Sequence, residues 1–165
     1  MNFKFLKLNH FNSLLKMYEQ VNAVYLDNNS ENTGILIEST FLQLCSQLEE
    51  ALYYECEQHF IKKNASIIRF EAALQEQGYN TNNKFWDRVL KLAKIRNCLI
   101  HGNGRIDNDK YGEDTVNTIN SLNADAKTQL VEIIENAHNA SSKIKIKPEL
   151  LTYFVNTIQE FCSFQ

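Results

Sequence analysis

Residues 84–104 read KFWDRVLKLAKIRNCLIHGNG, and the reading of this stretch decides the fold. Apolar residues recur three and four apart from Val89 to Ile100, no proline interrupts them, and glycine enters only at Gly102 and Gly104. That spacing predicts an amphipathic helix that stops at HGNG. With Lys84 at zero and roughly 100° per residue, Val89, Ala93 and Ile100 fall between roughly 140° and 180°, and Leu92 and Leu99 between roughly 60° and 80°. Lys84, Arg88 and Lys91 gather near zero, where charges belong. Arg96 falls at roughly 120°, among the apolar residues.

Working outward, one proline and five glycines in 165 residues leave few breakers, so most of the chain is expected to be helical. A first helix is expected from about Phe3 to Leu26, ended by the turn-forming DNNSENTG up to Gly34. A long second helix follows to about Lys62, carrying Ile37, Phe41, Leu44, Leu48 and Leu52 at helical spacing, and the two should pair antiparallel. Residues 66–77 suggest a short third helix before Gly78. The Asn-, Asp- and Gly-rich segment 103–123 reads as a long polar loop with a helical turn near Val116 to Leu122. Residues 125–138 read as a further helix capped by Asp125. KIKIK, residues 143–147, alternates as a short strand does, and Pro148 suits the first turn of a closing helix.

The length fits one domain over residues 1–165, and 44% hydrophobic with 22% charged residues marks a globular chain. No apolar run is long enough to cross a bilayer, and MNFKFLKLNHFN lacks the features of an export signal, so a cytoplasmic location is expected. Cys45, Cys56, Cys98 and Cys162 lie far apart and read as core residues, not as disulfides or zinc ligands. Net charge is −3, yet residues 84–110 hold seven basic against three acidic side chains, a local +4 on a body of −7. A basic segment of this kind points modestly to phosphate or nucleic acid.

Arginine keeps its charge, so Arg96 on an apolar face demands a carboxylate, an anion or a partner surface. On the second helix Glu55 shares the apolar face, as does His59, and Glu49 lies on its flank; all three are supporting candidates. Positions 96 and 101 diverge by roughly 140° on a continuous helix. Arg96 and His101 are therefore expected to act through a helix end or between two chains. Histidine at a helix C-terminus can exchange a proton near neutral pH, and arginine's planar fork suits phosphate. Together they suit RNA cleavage by the 2'-hydroxyl, which needs proton transfer and cationic support at phosphorus and no metal. No cluster at metal-ligand spacing is evident, and no cofactor is implied.

Arg96-Asn97-Cys98-Leu99-Ile100-His101 resembles the R-x4-6-H signature of the HEPN superfamily, in which a polar residue often follows the arginine. The resemblance is literal over about six residues and architectural over most of the chain. It implies an all-α, HEPN-like antiparallel bundle of about five to six helices with a long polar loop after the motif helix. It also implies a metal-independent endoribonuclease of the toxin-antitoxin or abortive-infection type. Catalysis would fall to Arg96 and His101, with Asn97 orienting the histidine or the phosphate, at the interface of a homodimer. Lys91, Lys94 and Arg105 would contact the RNA backbone, and a nucleotidyltransferase-type antitoxin is a candidate partner. The alternatives are a noncatalytic HEPN-like module that binds a protein, nucleotide or nucleic acid, and a plain helical bundle with Arg96 in an ion pair.

His10 and His138 read as isolated surface residues, and Tyr53, Tyr54, Phe85 and Trp86 as core aromatics. HGNGR follows a helix and does not open one, so it lacks the N-terminus that would hold a phosphate.

Overall fold

A computed structural model describes residues 3, 6–25, 30–56, 67–106, 112–136 and 141–165. It contains six helices and one hairpin: α1 (Leu8–Tyr25), α2 (Ser30–Glu55), α3 (Arg69–Glu76), α4 (Lys84–Gly102), α5 (Gly112–Ala126), β1 (Val131–Asn136), β2 (Ser141–Ile146) and α6 (Glu149–Phe164). The closing helix α6 is the centrepiece. Its Leu150, Leu151, Phe154, Val155, Ile158 and Phe161 are all buried, a wider apolar face than a surface helix carries. Phe154 meets Phe41 edge-on with ring centres 6.0 Å apart and lies 6.3 Å from Phe11. Phe161 lies 5.3 Å from Trp86, so α1, α2 and α4 all converge on α6. Such ring pairs add about 0.5–1.5 kcal/mol each beyond the apolar area they bury.

The chain is thus mainly helical, in keeping with the expected all-α class, with one small two-stranded hairpin added to the helices. Residues 131–136, expected within a helix, form β1, paired antiparallel with β2 through Val131↔Ile146, Ile133↔Ile144 and Glu132↔Lys145. The strand read in KIKIK is present and supplies the partner that turns VEIIEN into a strand. Asp125 does not cap a helix there but sits in the last turn of α5, which is followed by Lys127 at φ 55°. Asn123 completes the join, its side-chain oxygen accepting from the Leu130 and Val131 amides at 2.8 and 3.1 Å.

The long loop expected over 103–123 is also corrected, because residues 112–126 are helical. Thr115, Thr118, Ile119 and Leu122 are buried at positions i, i+3, i+4 and i+7. Two threonines stand in the apolar stripe, so hydrophobicity alone conceals its period. Elsewhere the helix ends shift. α1 begins at Leu8, after Phe3, whose ring stacks on Tyr79 with centres 4.4 Å apart. Gly34 lies inside α2, not in a turn. α2 ends at Glu55, and the expectation that it continues to Lys62 falls on residues 57–66, outside the described part. Gly78, at φ 86°, follows the α3 terminus as expected.

Three of the cysteines, Cys45, Cys56 and Cys98, are buried and all four are free thiols. Burial pushes each above its ordinary value, Cys56 to about 11 and Cys162 to about 12, so all four stay protonated at neutral pH. Among the described residues no helix is long and apolar enough to cross a membrane.

Candidate functional site

The motif helix α4 is held firmly at both ends. At its start the Asn83 side chain accepts from the Phe85 and Trp86 amides at 2.9 and 3.0 Å, a cap worth about 1 kcal/mol. At its end Asn103 takes the left-handed conformation (φ 50°, ψ 37°) and Gly104 follows at φ 72°. The Gly104 amide then donates back to the Cys98 carbonyl at 3.0 Å, closing a seven-residue loop that satisfies one of the carbonyls left open at the helix end. Gly102 itself remains helical and buried, so asparagine, not Gly102, makes the turn expected of the glycines.

Beyond the turn the chain joins the hairpin. The Ile144 amide donates to the Gly104 carbonyl at 2.8 Å and the Ile106 amide to the Ser142 carbonyl at 3.0 Å. Residues 104–106 thereby lie against β2 through an isolated antiparallel bridge at Arg105↔Lys143. The end of α4 that carries His101 is fixed by helix, cap and sheet together.

The buried face of α4 rotates along its length. Trp86, Val89, Leu92 and Ala93 are buried in the first half, at roughly 80–200° on the wheel. In the second half the buried residues are Ile95, Cys98, Leu99 and Gly102, at roughly 320–60°. Cys98 there donates to the Arg105 carbonyl at 3.6 Å. This rotation moves Arg96 and Ile100 out of the core. The Arg96 side chain is 24% exposed, Ile100 is 46% exposed and His101 is exposed. Arg96, Ile100, Asn97 and His101 thus share one outward face of roughly 120–260°, and Asn97 and His101 stand one turn apart on it. Ile100, expected in the apolar stripe, is its exposed centre.

Arg96 has two partners. Its Nη1 donates to the Asn97 side-chain oxygen at 3.0 Å, and its Nη2 reaches the Glu49 carboxylate at 3.4 Å. Of the two acidic candidates it is therefore Glu49 that faces Arg96. Glu55 is buried and accepts from the Tyr79 hydroxyl at 2.7 Å, an interaction that, after burial itself, raises the Tyr79 pKa. Sequence reasoning misses Tyr79, because nothing in GYNTNN marks it as a partner of Glu55. His59 lies outside the described residues, as does His138.

The three cations expected on RNA are differently placed. Lys91 is bonded to Asp87 at 2.6 Å and Lys94 to Asp114 at 2.9 Å, so both already have carboxylates beside them. Arg105 is exposed on the hairpin side of His101. Arg88, read only as a surface charge, forms a clamp across three helices. It donates to Asp125 at 2.6 and 3.0 Å and to Glu160 at 2.6 Å. Among the described residues no three His, Cys, Asp or Glu side chains gather closely enough to hold a metal ion. No family model, no curated protein and no solved structure matches this chain.

Proposed function

We propose that the protein is a metal-independent endoribonuclease of the HEPN kind, with a HEPN-like arrangement of its helices, acting on RNA as a dimer. The observation that carries this reading is the shared outward face of Arg96, Asn97, Ile100 and His101 at the rigid end of α4. A histidine, an arginine and an exposed isoleucine lie there side by side, side chains suited to proton transfer, phosphate recognition and an apolar contact. His101 would take the proton of the 2'-hydroxyl as its oxygen attacks phosphorus. Arg96 would neutralise the gathering charge, and the bond to the 5'-oxygen would break as the second copy's His101 returns a proton. The products are a 2',3'-cyclic phosphate and a 5'-hydroxyl. Growth inhibition, as of a toxin or an anti-phage effector, is the cellular consequence of this reading.

Purified protein incubated with RNA in EDTA should produce these ends, and His101→Ala should not. A strict need for a divalent metal, or full cleavage by His101→Ala, refutes the proposal. The engagement of Arg96 by Glu49 and Asn97 favours a second reading, a noncatalytic module that binds a partner. That reading predicts no cleavage by the parent protein and partner affinity unchanged by His101→Ala.

A further inference from the structure

We infer that the outer face of the hairpin, with Arg105, Lys143, Lys145 and Lys147, is a track for the phosphates of single-stranded RNA leading away from His101. The inference rests on the reading above for its direction along the RNA, though not for the binding itself.

The strands sort their residues by alternation. Val131, Ile144 and Ile146 are buried against the helices, while Ile134, Lys143 and Lys145 are exposed on the opposite face. Register places Ile134, Lys143 and Arg105 in one row across the sheet and Glu132 beside Lys145 in the next. Lys147 reaches Glu132 at 2.5 Å and so belongs to this face too. Among the described residues, Arg105, Lys143, Lys145 and Lys147 thus share one surface with Glu132, to which Lys147 is paired, on a chain whose net charge is −3. A face that only needed solvation would be served by polar residues of either sign.

The Arg105↔Lys143 pairing strengthens the case. The amides of Ile106 and Ile144 bond outside this pair, so Arg105 and Lys143 form the non-hydrogen-bonded type of pair, in which opposed side chains approach most closely. Two cationic side chains are thereby brought to one place on this face.

The spacing selects the occupant. Lys143, Lys145 and Lys147 recur every second residue, about 7 Å apart along the strand. That separation is comparable to the distance between neighbouring phosphates of a stretched single strand. Ile134 offers an apolar contact beside them for a sugar or base, and Arg105 follows His101 by four residues, so the track begins where the motif ends.

The test is titration of a short labelled single-stranded RNA, read by fluorescence anisotropy across a salt series. A His101→Ala background keeps the probe intact. Lys143→Glu with Lys145→Glu should weaken binding about tenfold or more and flatten the plot of log affinity against log salt by about 1.4, about 0.7 for each phosphate no longer neutralised. Lys143→Gln with Lys145→Gln should move both readings the same way by less, and guards against misfolding of the charge-reversed pair. Affinity and slope unchanged in the Gln pair overturn the inference. So does a parent protein that ignores RNA but binds vesicles of anionic lipid through these lysines. Cleavage by the parent enzyme with unaltered binding by both variants sinks the track and leaves the ribonuclease standing. Binding through the track without cleavage does the reverse.

Discussion

The Arg96 guanidinium stands 3.4 Å from the Glu49 carboxylate, a long approach between side chains that are 24% and 28% exposed. Water and salt screen such a pair, so it holds the two helices only weakly. A double-mutant cycle of Arg96→Ala and Glu49→Ala, followed by urea unfolding, should return a coupling of about 0.5–1 kcal/mol. A coupling of about 3–5 kcal/mol, the range for a buried partner removed, would make Arg96 a structural residue and not one available to a phosphate.

Ile100 is the apolar centre of the face shared by Arg96, Asn97 and His101, and it touches solvent instead of core. If two copies meet there, Ile100→Asp should turn a dimer into a monomer in sedimentation and abolish RNA cleavage. The midpoint of thermal unfolding measured at low protein concentration should hardly change, because surface substitutions shift stability by about 0.5 kcal/mol or less. Unaltered sedimentation together with full cleavage would place the site within one chain.

Much of this is legible in the sequence, and what is not has identifiable causes. α4, α6 and the strand KIKIK follow from spacing, because their own side chains carry the period. β1 does not, since Leu130, Ile133 and Ile134 also fit a helical spacing, and only pairing with β2 selects the alternation of Val131 and Ile133. An expected lone strand nevertheless requires a partner for its backbone groups, and VEIIEN is the β-branched stretch nearest to it. α5 is hidden because Thr115 and Thr118 occupy core positions. The helical wheel puts Arg96 and Ile100 in the apolar stripe because it assumes one buried face for all of α4. Only the packing of its second half against other elements shows that the face turns. Glu49 and Glu55 are both on the correct helix; which of them meets Arg96 depends on Tyr79, a partner twenty-four residues away from Glu55.

Gly104 sets the geometry between His101 and the sheet. An added Cβ would find Ile144 and Leu99 atoms at 3.7 Å, an ordinary van der Waals distance, so space is not the obstacle; the φ of 72° is. Gly104→Ala should cost about 1–2 kcal/mol through the left-handed backbone, lowering the unfolding temperature by about 2–4 °C per kcal/mol. Asn103→Gly, at φ 50°, should change stability little. If Gly104→Ala proves neutral, the turn is not the rigid stop that places His101.

Arg88 and Asp125 form a two-bond polar joint linking α4 to α5, with Tyr153 of α6 also donating to Asp125 at 2.5 Å. The hydrogen bonds from Arg88 hold the Asp125 carboxyl below its ordinary value, aided by Tyr153 and opposed by burial. A folded pKa below the unfolded one means the ionised form stabilises the fold. That contribution is complete above the unfolded value of about 3.9 and fades as pH falls through the lower folded value. Asp125 is 37% exposed, so the joint is screened, and Asp125→Asn should cost about 1 kcal/mol at neutral pH. Denaturant unfolding of the two proteins across an acid series should show the gap closing as the parent's carboxyl protonates. A gap that stays constant into acid would mean that Asp125 contributes through packing and not through its charge.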